Sequence, residues 1–253
     1  MTGVAPSDTL RDVYEQRGGE EYAEPVVPDP TVDRKFAVLV EEIGRLLPVA
    51  ALLDVACGDG RYIAALPTLG PVPERVVGVD IAESILHTAR RATSQAGVAP
   101  DLVRANLERL PLGDSEFDLV VSIQTIEHLL DPAAGLRELA RVLKPGGTLL
   151  LSTDNRRNLI TRTLNGPRWL VASLLGKRHA RLKLRFPHRS FSCGELDRLM
   201  TDAGLVIERV RTFRFSVVGA SIGLTRFLHR IDGRLPDFGI GDLVVVVARR
   251  PLP

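Results

Sequence analysis

Apolar and polar positions along this chain alternate between short buried runs and helix-spaced stretches. Leu52, Leu53 and Val55 form one such run, as a buried parallel strand would. Gly58 and Gly60 break it, and Tyr62, Ile63 and Leu66 resume at helical spacing. The same alternation predicts strands at about 51–55, 75–79, 101–105, 117–122 and 147–152. Helices fall between them, near 59–66, 83–95 and 132–143. Strands that alternate with helices imply an α/β fold with a doubly wound parallel sheet and right-handed crossovers. Upstream, Phe36, Val38, Leu39, Ile43, Leu46 and Leu47 lie on a helical pattern from Val32 to Leu47. Before it, Leu10 to Tyr22 reads as a short helix, and Pro25, Pro28 and Pro30 as irregular chain. Downstream, Val206–Phe213 and Leu243–Ala248 read as the last two strands, with a helix from Val217 to Leu228 between them.

A length of 253 residues suits one large α/β domain, or one domain with an inserted cap. The expected division is an N-terminal cap at 1–48, a core at 49–153, a basic lid at 154–194 and C-terminal helices and strands at 195–253. Hydrophobic residues at 45% and charged residues at 25% allow a full core without staples. A formal charge of +2 is too small to imply a nucleic-acid partner. Cys57 and Cys193 stand far apart with no Cys/His cluster near either. That argues against a disulfide framework or a zinc site and fits a reducing cytoplasm. The start of the chain shows neither the basic lead nor the apolar run of a signal peptide. No stretch reaches the ~18 consecutive apolar residues of a spanning helix. A soluble cytoplasmic protein is expected.

The candidate chemistry sits in Ala51–Tyr62. A strand that turns through glycines into a helix brings backbone N–H groups and a helix N-terminus to a ligand. Asp80, 20 residues beyond Gly60, ends the next apolar run and is placed to accept from ribose hydroxyls. The ligand is therefore a nucleoside-containing cofactor. Dinucleotide sites use G-x-G-x-x-G to wrap a pyrophosphate. Here Asp54-Val55-Ala56-Cys57-Gly58-Asp59-Gly60 has an acid on the strand and no third glycine, which disfavours a pyrophosphate and suits an ammonium group.

This stretch resembles the first motif of class I S-adenosylmethionine (SAM) methyltransferases, usually D-x-G-C-G-x-G. Ala56 stands where the first glycine is usual, and a slightly tighter turn with retained binding is expected. Further motifs follow in the family's order. Asn106 precedes Leu107-Glu108-Arg109-Leu110-Pro111 where an acid usually bonds the adenine amino group; its side-chain oxygen can accept the same bond, or serve only the turn. Phe117 to Ser122 matches the fourth strand, with Asp118 read as structural. Ile126-Glu127-His128-Leu129 is similar to the run of ubiquinone-type O-methyltransferases, and Leu143-Lys144-Pro145-Gly146-Gly147 to the turn before their fifth strand.

The resemblance implies a Rossmann-like sheet of seven strands, five parallel plus a C-terminal antiparallel pair, with a lid or insertion after the fifth. It implies SAM as cofactor, S-adenosylhomocysteine (SAH) as product, and a small-molecule acceptor. The expected cofactor contacts are Asp54, Ala56, Cys57, Gly58, Gly60, Asp80, Ile81, Asn106, Leu107 and Ile123. His128 is the candidate general base for an O-nucleophile; the rival reading has Glu127-His128 orienting the next helix. His188, ahead of a capping box at Ser192 and Glu195, is the second candidate. No metal is expected, since Glu127 has no neighbouring ligand at suitable spacing. Tyr14 and Tyr22 can line the cofactor site or pack a surface arm.

Asn155–Gly194 holds ten Lys or Arg and no acid, interleaved with Leu159, Trp169 and Leu174, and Pro167 suits the start of a helix there. Such a segment can be a substrate lid with solvated charges, attract an anionic or lipid-like acceptor, or lie on a membrane through 155–189. Nucleic-acid methylation is disfavoured: Ser122-Ile123-Gln124-Thr125 stands where N/D-P-P-Y is usual, and a Pro-Cys nucleophile is lacking. A non-catalytic SAM-binding regulator and an NAD-dependent reductase are the competing classes. Monomer and homodimer both remain open.

Overall fold

The computed structural model describes residues 11–16, 24, 28–29, 33–157, 189–213 and 241–253. The apolar run at Ala51 becomes β1 (Ala51–Val55), buried throughout. Its residues alternate between two cores: Leu53 and Val55 enter one and Leu52 the other. A strand buried on both faces explains the unbroken apolar run. β2 (Arg75–Asp80) and β3 (Asp101–Arg104) extend the sheet to one side, and β4 (Phe117–Ile123) and β5 (Leu143–Asp154) to the other, all parallel. β7 (Leu243–Arg249) then runs antiparallel between β5 and β6 (Val206–Phe213), giving the order β3-β2-β1-β4-β5-β7-β6. The expected architecture is present.

Helices cover both faces. α1 (Arg34–Leu46), α2 (Arg61–Ala65) and α3 (Glu83–Gln95) pack on one through Phe36, Leu39, Ile43, Ile63 and Leu86. α4 (Pro132–Val142) and α5 (Cys193–Asp202) pack on the other through Leu136, Leu139, Leu196 and Met200. The predicted capping box opens α5, with Ser192 accepting from the Glu195 amide and Glu195 from the Ser192 amide. Asp118 is structural as expected: it accepts from the Ala51 amide at 2.9 Å and from Lys144 Nζ at 2.8 Å, tying β1 and β5 to β4.

Two boundaries differ from expectation. The helix after β1 starts at Arg61, because Gly60 is a left-handed N-cap at φ 75°. A Cβ there would come within 3.1 Å of the Ala89 backbone in α3, so the crossing of α2 and α3 requires glycine. β5 starts at Leu143 rather than 147: Leu143 pairs with Phe117, the chain bulges through Gly146 at φ 78°, and pairing resumes between Leu119 and Thr148. Of the N-terminal helix, 11–16 is described and helical. Tyr22, the helices expected at Pro167–Leu175 and Val217–Leu228, and His188 lie outside the described residues. Among the described residues no helix is long and apolar enough to cross a membrane.

α1 is fastened to the sheet edge by one buried acid. The Glu42 carboxylate is fully enclosed and accepts from Arg45 at 2.8 Å, Arg209 at 3.1 Å and Arg211 at 3.3 Å. Burial alone would raise its pKa, but the bonds and charge of Arg209, with Arg45 and Arg211, hold it below the usual glutamate value. An acid whose folded pKa is depressed contributes stability above its unfolded pKa and loses it as pH falls through the folded one. Glu42→Ala is therefore expected to lower unfolding free energy by about 2 kcal/mol at neutral pH, less than a fully buried pair because the arginine heads remain partly wet. Urea unfolding should show that deficit shrink as pH drops below the ordinary glutamate range; a deficit independent of pH would contradict the ion-cluster account.

Candidate active site

The strand order reverses between β1 and β4, and ligands of doubly wound sheets bind beyond the carboxyl ends at such a point. A cleft opens there. It is lined by Asp54, Ala56, Cys57, Gly58, Asp80, Ile81, Asn106, Leu107, Ile123 and His128, with Tyr14, Lys35, Arg61, Gln124 and Thr125. Of the expected cofactor residues only Gly60 is absent from the lining, standing behind the loop as the cap of α2.

The loop after β1 is shaped by backbone conformation. Ala56 has φ 56°, the left-handed region, so the usual glycine is replaced by a residue that pays about 1 kcal/mol for the same turn, not by a tighter one. Gly58 has φ 56° as well, and a Cβ on it would meet no protein atom within 4 Å. Two bonds lace the loop to β2: Cys57 N donates to Val79 O at 2.9 Å, and Gly58 N to Asp80 Oδ2 at 3.0 Å. Asp80 Oδ1 accepts from Ala82 N at 3.1 Å. Burial raises the Asp80 pKa above the usual aspartate value, although the amides of Ala82, Gly58 and Ile81 oppose this. Burial likewise pushes the Cys57 thiol far up, so it is a neutral packing group.

Asp54 is the unusual group. It is 2% exposed, and its Oδ2 has no hydrogen-bond partner. Burial, then the negative Asp80 and Asp59, push its pKa up to about 8. Asp59 is itself neutralised by Arg61, whose Nε donates to it at 2.8 Å. A buried carboxyl with an unpaired oxygen in the lining of a cleft suits a cationic ligand.

Across the cleft, β4 ends in a 3₁₀ turn, Ile126–His128, with His128 N donating to Thr125 O at 2.9 Å. This turn splits the Glu127-His128 pair. Glu127 is buried and accepts from Thr153 Oγ1 at 2.8 Å, while His128 lines the cleft, edge-on to Tyr14 with ring centroids 6.3 Å apart. Asn106 is both a turn and a cleft residue: its Oδ1 accepts from Glu108 N at 3.0 Å and keeps a second lone pair. Sequence reasoning missed Gln124, a cleft residue at φ 54° whose Nε2 is buried without a partner. Only its place directly after Ile123 pointed to it. Lys35 and Arg61 were missed as well, as isolated basic residues in helices.

The roots of the basic segment meet beside this turn. Arg156 N donates to Phe191 O at 2.9 Å, Phe191 N to Asp154 O at 3.0 Å, and Arg189 N to Glu127 O at 3.0 Å. Arg156 pairs with Glu195 at 2.6 Å, so this charge is spent within the protein. Among the described residues no group of three or more His, Cys, Asp or Glu is arranged to hold a metal ion.

A family model described as a methyltransferase domain matches residues 53–151. Residues 53–151 are thus similar to a methyltransferase domain. The ubiquinone biosynthesis O-methyltransferase of Hahella chejuensis is 39% identical over 111 residues, 44% of this chain and 45% of that protein. A probable S-adenosylmethionine-dependent methyltransferase of Mycolicibacterium smegmatis is 37% identical over 123 residues, 49% of this chain and 45% of that one. The chain thus spans less than half the length of these relatives. A Thermotoga maritima SAM-dependent methyltransferase, described as a possible histamine N-methyltransferase, shares the fold with a TM-score of 0.60 and 24% identity, covering 95% of this chain and 99% of that one.

The methyltransferase domain implies SAM as its cofactor, and the cleft fits it. The lone Asp54 oxygen suits a cationic amino acid end, and Asp80 keeps spare lone pairs for hydroxyls. An acid with a raised folded pKa destabilises the protein as pH climbs between its unfolded and folded values, here from 3.8 toward about 8. Asp54→Asn should therefore melt higher than the parent at pH 8 and match it near pH 4 in the ligand-free state. Its SAH affinity should fall by about tenfold or more, the loss of one bond to a charged group. Calorimetry on the parent should show SAH affinity rising toward about pH 8, with that rise absent in the variant.

Proposed function

We propose that this chain transfers a methyl group from SAM to a small-molecule acceptor bearing an oxygen nucleophile, with His128 as general base. One observation carries the reading. A histidine at the end of β4 lines the same cleft as the unpartnered Asp54 carboxylate and the Asp80 ribose acid, on the opposite wall.

When bound, SAM supplies a methyl group already activated on a sulfonium. The residues then have three tasks. Asp54 balances the ammonium end, with the loop of Ala56, Cys57 and Gly58 against it. Asp80 and Ile81 receive the ribose, and Asn106, Leu107 and Ile123 border the adenine. His128 takes the hydroxyl proton of the acceptor on a ring nitrogen as the oxygen attacks in line, and this half-buried position holds acceptor and base in register. The division into a cap at 1–48, a core at 49–153, a lid at 154–194 and a C-terminal part at 195–253 follows from the same reading. The basic character of 155–189 favours an anionic or lipid-like acceptor and gives the lid a surface suited to an anionic membrane. His188 is the second candidate for acceptor contact. What supports an oxygen acceptor is the 39% identity over 111 residues to the Hahella ubiquinone biosynthesis O-methyltransferase.

Titration with SAM and SAH should give micromolar binding of both, lost in Asp80→Ala. In acceptor screening, His128→Ala should then lower kcat by about 10²–10⁴-fold while SAH affinity stays at the parent value. Cofactor binding without turnover of any acceptor would favour a regulator, and an unchanged kcat in His128→Ala would remove the base from the mechanism.

A further inference from the structure

α3 begins immediately after the ribose acid, and its own N-cap, Ala82, offers no side-chain oxygen to the free amides of the first turn. Two of those amides are nevertheless satisfied from far away in sequence. Glu15, in the helical stretch 11–16, accepts from Glu83 N at 2.8 Å through one oxygen and from Ser84 N at 3.0 Å through the other. Ser84 Oγ donates back to the Glu15 carbonyl at 3.0 Å, and Arg104 at the end of β3 pairs with the Glu15 carboxylate at 3.1 Å. Arg104 also donates to Ile81 O at 3.3 Å. The turn that presents Asp80 is thereby tied from Asp80 to Ser84, and the outermost ties come from the N-terminal segment.

The neighbouring residue reaches the other wall. Tyr14 lines the cleft and meets the His128 ring edge-on. Consecutive residues thus touch α3 on the ribose side and the 3₁₀ turn on the acceptor side. A chain so placed crosses the mouth between them.

We propose that Glu15 is a positioning residue that latches segment 11–16 across the cofactor cleft, by capping α3 in trans, and so controls exchange of the nucleoside cofactor. This rests on the SAM reading of the cleft. The latch is electrostatic and local: one carboxylate bridges two amides and a guanidinium, a set that the neutral Gln analogue satisfies only in part. Opening it frees Tyr14 from the mouth and loosens the Asp80–Ser84 turn in the same motion.

The test uses the full chain, with SAH as probe, in the parent, Glu15→Ala and Glu15→Gln. SAH dissociation, followed by stopped-flow, should accelerate about tenfold in Glu15→Ala, the factor that loss of a helix cap corresponds to, and by less in Glu15→Gln. Association should accelerate too, because a strap that no longer closes no longer bars entry; loss of a cap alone leaves the entry rate unmoved. In the ligand-free protein, amide exchange at Glu83 and Ser84 should quicken in the same order of variants. Parent-like association and dissociation in Glu15→Ala, with tight SAH binding by the parent, would overturn the latch while leaving the cofactor reading intact. Failure of the folded parent to bind SAH would overturn the cofactor reading and the latch with it.

Discussion

Two carboxylates buried side by side at the ends of neighbouring parallel strands set the terms for everything around them. Asp54 and Asp80 lie on β1 and β2, which run in register with Asp54 opposite Gly78 and Val55 opposite Val79. Parallel pairing puts both strand ends at the same edge of the sheet, so the acids cannot be separated without breaking the fold. Asp80 is fed by the amides of Gly58 and Ala82. Asp54 keeps one oxygen bare. The glycine loop, the left-handed Ala56 and the start of α3 are arranged about this imbalance, which a proton or a cationic ligand relieves.

Much of this was legible in the sequence because it rests on short-range rules. Every expected strand from β1 to β7 is present, and the buried ones, such as β1 and β7, write themselves as apolar runs. The capping box at Ser192 and Glu195 follows from local chemistry in the same way. The lining of the cleft was legible at or just beyond strand ends, as for Asp54, Asp80, Asn106 and His128. Gln124 was not, because a left-handed backbone at a non-glycine residue leaves no trace in composition. Glu15 was not, because its partners are 68 and 69 residues away and no periodicity relates them. Lys35 and Arg61 were hidden by their helices, where basic residues are ordinary.

Residues from both walls of the cleft fall within the family match. The family match at 53–151 takes in the loop, the ribose acid, the adenine turn and the Glu127-His128 run, and ends within β5. That portion holds the groups proposed for the cofactor. The Hahella and Mycolicibacterium relatives align with this chain over less than half of their own length.

The junction where residues 154–156 meet 189–191 carries a consequence of its own. Asn155 bridges Phe191, and main-chain bonds close the neck on both sides of it. A neck pinned by backbone atoms is indifferent to the side chains strung beyond it, and loop closure entropy grows only slowly with the length of what is looped out. The stretch between these points can therefore be lengthened, shortened or exchanged for another without disturbing register between β5 and β7. Such an architecture behaves as a socket: recombination or design could graft another segment between the two pinned ends while their backbone bonds to each other are kept.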